Sequence, residues 1–215
     1  MRIGIFGGTF NPVHYGHLRA AEEAAVKFLD KVVFVPAHIT LDKVPAQAVN
    51  SKLRLEMINI AIKDNRKFES SDIEIKRGGI SYSYDTVVQF KKMYPGDELY
   101  FIVGEDAYKH IKSWKNASAI LNEINFIVVS RSKLGFKNLA KLAGFLPDNL
   151  KENIVIDYNG NRFAMHRNIA VYFLKITVLD ISSTDIRNNF KNNISNLFLL
   201  PNEVIKYIIN NKLYS

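Results

Sequence analysis

The fold is decided by residues 3–17, which read Ile3-Gly4-Ile5-Phe6-Gly7-Gly8-Thr9-Phe10-Asn11-Pro12-Val13-His14-Tyr15-Gly16-His17. The apolar run predicts a buried strand of a parallel sheet. The glycine pair predicts a tight turn that brings bare backbone close to a ligand. The amphipathic pattern that follows predicts a helix, with Leu18, Ala21, Ala25 and Phe28 on one face. Such a helix N-terminus suits a phosphate group, because its unpaired N–H groups and dipole favour an anion.

Two histidines, His14 and His17, stand at the predicted helix start. Their spacing places both on one side of the first turn, so both can donate hydrogen bonds to phosphate oxygens in the same crevice. The alternative is structural, with glycines that only permit a turn and histidines that only cap the helix. The full pattern Gly-Gly-Thr-Phe-x-Pro-x-His-x-Gly-His favours the phosphate site, because it is far more specific than a glycine pair or a lone histidine.

The composition is that of an ordinary globular protein of 215 residues, with 47% hydrophobic and 23% charged residues. The absence of cysteine excludes disulfides, thiolate metal sites and cysteine nucleophiles. The net charge of +8 allows a nucleic-acid partner, a nucleotide pocket or a solvated lysine-rich surface. Scattered lysines favour the surface, so we expect no nucleic-acid partner. With neither a signal peptide nor a membrane-spanning run, we expect a cytoplasmic protein without a membrane partner.

Strands and helices are predicted to alternate along the chain. Apolar or alternating runs predict strands at residues 31–35, 71–75, 99–103, 125–130 and 176–179. Ser51 is predicted to cap one helix, and Pro201 to start the last one, with Val204, Ile205, Ile208 and Ile209 packing inward. We therefore predict an α/β fold, a doubly wound parallel sheet with helices on both faces and a helical C-terminal segment. The chain is interpreted as a single domain, residues 1–215, with a variable insertion around 132–174 that contains a hairpin at Asn159-Gly160.

Polar and glycine residues follow the predicted strands. The residues that come just after a strand, or in the loop that leaves one, are Gly7, Lys43, Asp106, Arg131 and Ser183. Ligands of doubly wound sheets bind outside the carboxyl ends of the strands. The sequence therefore predicts the functional site at this edge of the sheet.

The string from Gly7 to His17 resembles the signature of the nucleotidyltransferase superfamily, whose core is His-x-Gly-His. Its fuller form resembles bacterial nicotinate-nucleotide adenylyltransferases, which join ATP to nicotinate mononucleotide and release pyrophosphate in NAD biosynthesis. The resemblance implies a Rossmann-like form of the predicted sheet. Asn11 stands where the family often has Asp, and we expect a mild effect, because both side chains can hydrogen-bond a local turn.

A second motif, Ile181-Ser182-Ser183-Thr184-Asp185-Ile186-Arg187, resembles the family's Ile-Ser-Ser-Thr-x-Ile-Arg. Ser183 and Thr184 offer hydroxyl and N–H groups at a predicted helix start. Arg187 lies one turn further on, where its guanidinium can reach the same phosphates. The alternative is a simple helix cap with a solvated arginine.

The resemblance implies three sets of site residues. The catalytic set is His14, His17, Lys43 and Arg187. The ATP-binding set is Gly7, Gly8, Thr9, Phe10, His14, His17, Asp106, Ser183, Thr184 and Arg187. The set for the mononucleotide is Lys43, Ser81, Tyr82, Ser83, Thr86, Trp114 and Arg131.

The individual roles also follow from the resemblance. Asp106 is expected to face the nucleotide ribose, and Trp114, the only tryptophan, to stack on the nicotinate ring. Residues 81–86 are expected to hold the nicotinate carboxylate. Lys43 follows Thr-Leu-Asp instead of the family's Pro-Pro-His, which changes the loop around it. A helix-capping aspartate, a packed tryptophan and a surface Arg131 are the structural alternatives.

Adenylyl transfer is an in-line displacement in which a phosphate oxygen of the mononucleotide attacks the α-phosphorus of ATP. The protein supplies no nucleophile, and its task is to position two polyanions and stabilise the charge that develops. Mg²⁺ is implied as a cofactor that rides on the ATP phosphates, and no metal site built from protein ligands is expected.

Two rival functions are kept at this stage. A pantetheine-phosphate adenylyltransferase would use the same phosphate machinery but would not need Trp114 or residues 81–86. A nucleic-acid-binding module would be favoured only by the net charge of +8 and would leave both histidines and Arg187 unexplained. The partners expected are ATP and nicotinate mononucleotide. The sequence leaves the oligomeric state open, and a homodimer is one of the states that it allows.

Overall fold

The computed structural model describes residues 1–40, 49–130, 139–152, 154–157, 159, 161–165 and 169–214. The strands are β1 Arg2–Gly8, β2 Lys31–Pro36, β3 Phe68–Ser70, β4 Glu98–Gly104, β5 Asn125–Ser130, β6 Val155–Asp157, β7 Arg162–Ala164 and β8 Ala170–Lys175. The helices are α1 Tyr15–Phe28, α2 Ser51–Ile62, α3 Ile73–Arg77, α4 Ser83–Met93, α5 Glu105–Lys109, α6 Ala117–Glu123, α7 Leu139–Ala143, α8 Asp148–Lys151, α9 Ser183–Lys191 and α10 Asn202–Asn210, with a 3₁₀ turn at Ile111–Ser113.

The strands form one sheet in the order β3-β2-β1-β4-β5-β8-β7-β6. Every pairing from β3 to β8 is parallel, and the β6-β7 hairpin adds an antiparallel edge to β8. The chain order reverses between β1 and β4, so the carboxyl ends of these two strands form the switch point at which doubly wound sheets bind ligands. The predicted sheet and the predicted hairpin are both confirmed.

Apolar layers cover both faces of the sheet. On one face, side chains such as Phe6 and Phe34 pack against α1, α2, α9 and α10. On the other face, Ile5 and Phe101 pack against α4, α5, α6, α7 and α8. Neighbouring positions of β1 thus point to opposite layers, as the two-residue period of a strand requires. In the described ranges, no helix is long and apolar enough to cross a membrane.

The strand predicted at residues 71–75 is wrong, because these residues lead into helix α3. The edge strand lies just before them and pairs Phe68 with Val32 of β2. The alternation of Ile73, Glu74 and Ile75 suggested one exposed face, whereas Glu74 is the buried residue of the three. A glutamate buried by a tertiary contact does not follow a strand period. The Gly78-Gly79 break after this segment is confirmed by positive φ at both residues.

The strand predicted at residues 176–179 is also wrong, because the last parallel strand is β8. Its Val171 and Phe173 pack on one face of the sheet and its Leu174 on the other. This strand lies within the range 132–174 that was interpreted as an insertion. After Lys175 the chain leaves the sheet, and the Thr177 N–H donates to the Glu23 carboxylate on α1 at 2.9 Å.

Two details of the helix predictions change. Asn50 caps α2 by accepting a hydrogen bond from the Lys52 N–H at 2.8 Å, so Ser51 is the first helical residue instead of the cap. In α10, Val204 and Ile208 are buried as predicted, whereas Ile209 is 60% exposed. A spacing of one residue turns a helical side chain by about 100°, which carries Ile209 past the edge of the buried face.

Candidate active site

The end of β1 explains the glycine pair. The strand runs through both Gly7 and Gly8, and the first residue with positive φ is Phe10, at 47°. A Cβ on Gly8 would lie 2.9 Å from the Phe10 ring, and a Cβ on Gly7 would lie 3.3 Å from the Phe101 ring. The glycines are therefore required by aromatic rings that pack on bare backbone, and the turn predicted at them comes two residues later.

The two histidines form a fixed pair at the start of α1. His14 is the N-cap residue and is 2% exposed, and its ring centroid lies 3.7 Å from that of His17. The His14 N–H donates to Nδ1 of His17 at 3.3 Å. A neutral His17 that accepts at Nδ1 carries its proton on Nε2. The Phe10 ring, 5.0 Å away and nearly perpendicular, holds the His17 ring from the side.

Helix α9 is docked on the loop that follows β1. The Ser183 hydroxyl donates to the carbonyl of Pro12 at 2.9 Å. Arg187 donates from Nη1 to the carbonyl of Asn11 at 2.8 Å and from Nη2 to the Thr184 hydroxyl at 3.1 Å. The two sequence motifs therefore meet at one place, as predicted from the doubly wound topology.

Ser182 is the N-cap residue of α9, and this is the helix cap that the sequence offered as the alternative for the second motif. Its hydroxyl caps α9 by accepting hydrogen bonds from the N–H groups of Thr184 at 3.1 Å and Asp185 at 3.4 Å. The Thr184 N–H, expected to face phosphate, is thus held by the cap. The signal was present in the sequence, because serine followed three residues later by an acidic side chain is typical of a helix start.

Asn11 is held by a residue from the other end of the chain. The Tyr214 hydroxyl donates to Oδ1 of Asn11 at 2.6 Å, across a sequence separation of 203 residues. The expectation that Asn11 bonds a local turn is therefore wrong. Burial raises the pKa of Tyr214, against the opposing charges of Arg187 and Arg54, so the hydroxyl stays a proton donor.

Asp106 lies in the first turn of α5, directly after β4, and its carboxylate is fully exposed. Nζ of Lys109 lies 3.1 Å from Glu105 and 3.4 Å from Asp106, and the hydrogen bond to Glu105 is the main cause that raises the pKa of Lys109. The Asp106 carboxylate is accessible at the switch point and can accept hydrogen bonds from the hydroxyl groups of a ligand.

The segment that enters α4 is tied to the end of β2. The Ser81 hydroxyl accepts a hydrogen bond from the His38 N–H at 2.8 Å, and the Ser81 N–H donates to the carbonyl of Ile39 at 2.8 Å. Tyr82 is the N-cap residue of α4 and Ser83 its first residue. Ser81, Tyr82 and Ser83 are thus placed at a helix N-terminus beside the loop that leaves β2.

Thr86 has a different environment from the other predicted mononucleotide residues. It is 1% exposed, and its hydroxyl donates a short hydrogen bond to the buried carboxylate of Glu74. Nη2 of Arg77 donates to the same hydroxyl at 3.1 Å. The hydroxyl, which the family resemblance assigned to the nicotinate carboxylate, is engaged inside the protein.

Trp114 follows the 3₁₀ turn and is half-buried. Its ring stands edge-on to that of Phe101, with centroids 5.9 Å apart and planes at 79°. The same Phe101 ring lies against Gly7, so one aromatic side chain contacts both Gly7 and Trp114.

Lys115 connects the tryptophan segment to the start of α4. Its Nζ lies 3.0 Å from the Asp85 carboxylate and 4.5 Å from the centroid of the Tyr82 ring. This contact places Lys115, the chain neighbour of Trp114, beside Tyr82. Lys43 and Arg131 lie outside the described residues, so their places in the site stay predictions. In the described part of the chain, no group of three His, Cys, Asp or Glu side chains is arranged to hold a metal ion.

Comparisons with known proteins agree with these motifs. The family model described as Cytidylyltransferase-like matches residues 5–189. A probable nicotinate-nucleotide adenylyltransferase of Geotalea daltonii is 41% identical over 216 residues, which covers 100% of this chain and 99% of the relative. A relative of the same name from Geobacter sp. strain M21 is 42% identical over 215 residues, which covers 100% of this chain and 98% of the relative.

The fold agrees with that of a solved nucleotidyltransferase. The structure is the Plasmodium falciparum nicotinic acid mononucleotide adenylyltransferase complexed with NaAD, with a TM-score of 0.73 and 22% identity over 99% of this chain and 97% of that one. At this identity the likeness shows the fold, whereas the full-length sequence matches show the family. The chain belongs to the nicotinate-nucleotide adenylyltransferase family.

Proposed function

We propose that the protein transfers the adenylyl group of ATP to nicotinate mononucleotide, giving nicotinate adenine dinucleotide and pyrophosphate in NAD biosynthesis. The observation that carries the proposal is the docking of α9 on the loop after β1. It gathers His14, His17 and Arg187 at the switch point of the sheet, where Arg187 reaches the Asn11 carbonyl at 2.8 Å. Cationic and N–H groups fixed in one place are what a reaction between two polyanions requires.

On the ATP side, each group has a separate role in binding the phosphates. The half-buried backbone of Gly7, Gly8 and Thr9, where β1 ends, faces the phosphates. Nε2–H of His17 donates to the α-phosphate oxygen on which charge grows during displacement. Arg187, whose guanidinium fork is held by backbone and hydroxyl contacts, stabilises the same phosphates and the leaving pyrophosphate.

A further group of residues completes the ATP side of the proposal. Ser183 holds the second motif against the first, Thr184 accepts a hydrogen bond from Arg187, and Phe10 holds the His17 ring. Asp106 accepts hydrogen bonds from the ribose hydroxyls. His14, as the buried N-cap residue, fixes the ring of its partner and the first turn of α1.

On the mononucleotide side, we assign the nicotinate ring to the region between Trp114 and the start of α4. The indole offers a flat apolar surface, and the first turn of α4 offers N–H groups and the positive end of a helix dipole for the carboxylate. The start of α4 is formed by Ser81, Tyr82 and Ser83. Lys43 and Arg131 are proposed to hold the phosphate of the mononucleotide.

Mg²⁺ belongs to the ATP co-substrate in this proposal, because phosphate oxygens are the ligands that the ion takes in ATP-using sites. Bound in this way, it neutralises charge on the pyrophosphate that leaves. A cytoplasmic location remains a prediction from the sequence, which leaves the oligomeric state open and allows a homodimer.

The test is pyrophosphate release from ATP and Mg²⁺ with three acceptors, namely nicotinate mononucleotide, nicotinamide mononucleotide and phosphopantetheine. We expect kcat/KM for nicotinate mononucleotide to exceed the kcat/KM values for the other two acceptors at least ten-fold. A preference for another acceptor would retain the nucleotidyltransferase chemistry and overturn the assignment of Trp114 and residues 81–83. No release with any acceptor would contradict the proposed function itself.

A further inference from the structure

Arg54 is a buried cation in the first turn of α2. Its side chain is 2% exposed, although arginine is almost never fully buried without a charged partner. Among the residues that the structure describes, Arg54 forms no ion pair, and burial lowers its pKa from the usual range for arginine. A charge held in this way carries a desolvation cost, so its retention calls for a physical reason.

The guanidinium of Arg54 is satisfied by main-chain carbonyls from separate loops. Nε donates to Val49 at 3.0 Å, and Nη1 donates to Thr9 at 2.5 Å. Nη2 donates to Ala37 and, at 3.3 Å, to His38. Thr9 follows β1, whereas Ala37 and His38 follow β2, so one planar fork spans the carboxyl ends of two neighbouring strands.

A second set of hydrogen bonds continues from this point to α4. Ser51, three residues before Arg54 on α2, has its hydroxyl 3.1 Å from Nδ1 of His38. The His38 N–H in turn donates to the Ser81 hydroxyl at 2.8 Å. The first turn of α2 is thus bonded to the ATP loop at Thr9 and, through His38, to the proposed mononucleotide segment at Ser81.

We propose that Arg54 is a positioning residue that sets the separation between the ATP-binding loop after β1 and the mononucleotide-binding segments after β2 and before α4. The inference rests on the proposed function. In an in-line displacement the attacking oxygen must meet the α-phosphorus within a narrow range of distance and angle, so a small change in this separation lowers the rate. A guanidinium suits this role because its rigid planar group donates hydrogen bonds to several carbonyls at once, whereas an ammonium donates from a single nitrogen.

The alternative is that Arg54 only stabilises the fold. We distinguish the two with R54K, which keeps the charge but loses the fork, and with Met57→Ala as the matched control. Met57 is fully buried, lies one turn further along α2 and packs in the apolar layer, and its side chain has no donor that could bond the loop carbonyls. For each variant, the thermal unfolding midpoint, kcat, and KM for ATP and for nicotinate mononucleotide are measured well below the midpoint.

We expect R54K to lower kcat at least ten-fold and to raise both KM values at least three-fold, while Met57→Ala lowers the midpoint but leaves both KM values within two-fold. The inference is overturned if R54K has wild-type kinetics, or if Met57→Ala, at an equal loss of midpoint, shows the same kinetic defect. Turnover of the wild-type protein with nicotinate mononucleotide tests the proposed function separately. The inference about Arg54 concerns only the ratios of kcat and KM between each variant and the wild type.

A second variant decides the question if R54K does not fold. Ser51→Ala removes only the bond to His38 and leaves Thr9, Ala37 and His38 held by Arg54. If Arg54 sets the separation, we expect both KM values of Ser51→Ala to stay within two-fold of wild type. A rise of at least three-fold in KM for nicotinate mononucleotide would show that Ser51 sets the position of His38, and it would overturn the inference.

Discussion

Arg187 donates a hydrogen bond of 2.8 Å to the main-chain carbonyl of Asn11, across 176 residues of sequence. This bond joins the two motifs that the sequence showed separately. It also fixes the guanidinium, because the second terminal nitrogen is held by the Thr184 hydroxyl at 3.1 Å. A cation fixed before the substrate binds needs little reorganisation when charge develops on the phosphates.

The first prediction concerns this arginine. We expect R187K to lower kcat by about 10²-fold with ATP and nicotinate mononucleotide, because loss of one preorganised donor to a developing charge costs roughly 10² to 10³ in rate. The lysine keeps the charge but cannot bond the Asn11 carbonyl and the Thr184 hydroxyl with one planar fork.

The matched control for this prediction is R162K. Arg162 pairs with Asp157 at 3.0 Å on the hairpin at the far edge of the sheet. Steady-state kinetics of both variants provide the measurement, and R162K is expected to match the wild type within two-fold. Equal kinetics for R187K and wild type would remove Arg187 from the proposed catalytic set.

The second prediction concerns His17. We expect H17A to lower kcat by about 10²-fold, because it removes the Nε2–H donor proposed for the α-phosphate. Circular dichroism should show an unchanged fold, since α1 retains its buried alanine face at Ala21 and Ala25. His110→Ala, at an exposed position after α5, is the control and should keep wild-type turnover. Unchanged turnover in H17A would contradict the assigned role.

The third prediction separates two roles for Thr86. In T86V the buried Glu74 carboxylate loses the hydroxyl that donates to it, and we expect the free energy of unfolding to fall by about 1 to 3 kcal/mol. T86S retains the hydroxyl that donates to Glu74, so its free energy of unfolding is expected to stay within about 1 kcal/mol of the wild-type value. Urea unfolding of both variants is the measurement. A T86V protein of wild-type stability with a raised KM for nicotinate mononucleotide would instead indicate direct contact with the substrate.

The β1-α1-β2 unit and the switch-point edge could be predicted from the sequence, because both depend on local signals. An apolar run, a glycine pair and a helical period each lie within a few neighbouring residues. The parallel pairing of β1 with β2 followed from the order strand, helix, strand and was confirmed. Asp106 was placed at the correct edge for the same reason, whereas the strand predicted before Ser183 is wrong and Ser183 reaches this edge through its bond to Pro12.

The features that could not be predicted depend on partners distant in sequence. Glu74 is buried because Thr86 and Arg77 satisfy it, and no periodic pattern shows such a contact. The bond between Asn11 and Tyr214 joins positions 203 residues apart. Arg54 carries no motif, and its role is visible only when the ends of β1 and β2 are seen side by side.

The fourth prediction uses the buried Tyr214 hydroxyl. Because burial raises its folded-state pKa above the unfolded value of about 10, the stability that this hydroxyl contributes is fully present below about pH 10 and is lost as the pH rises above that value. Y214F leaves Oδ1 of Asn11 without this donor, so we expect it to lower the free energy of unfolding by about 1 to 3 kcal/mol at pH 7.

Urea unfolding of wild type and Y214F at pH 7, 9, 10.5 and 11 measures this contribution. Burial also raises the pKa of Tyr100 and of Tyr108, so both proteins should lose stability at alkaline pH, and only the difference between them reports on Tyr214. We expect this difference to be constant up to about pH 10 and to shrink above it, because the wild type alone must keep the Tyr214 proton in order to stay folded. Tyr15→Phe, at an exposed position, is the control and should keep the wild-type free energy of unfolding at pH 7. A difference between wild type and Y214F that stays constant through pH 11 would mean that the hydroxyl contributes through packing alone.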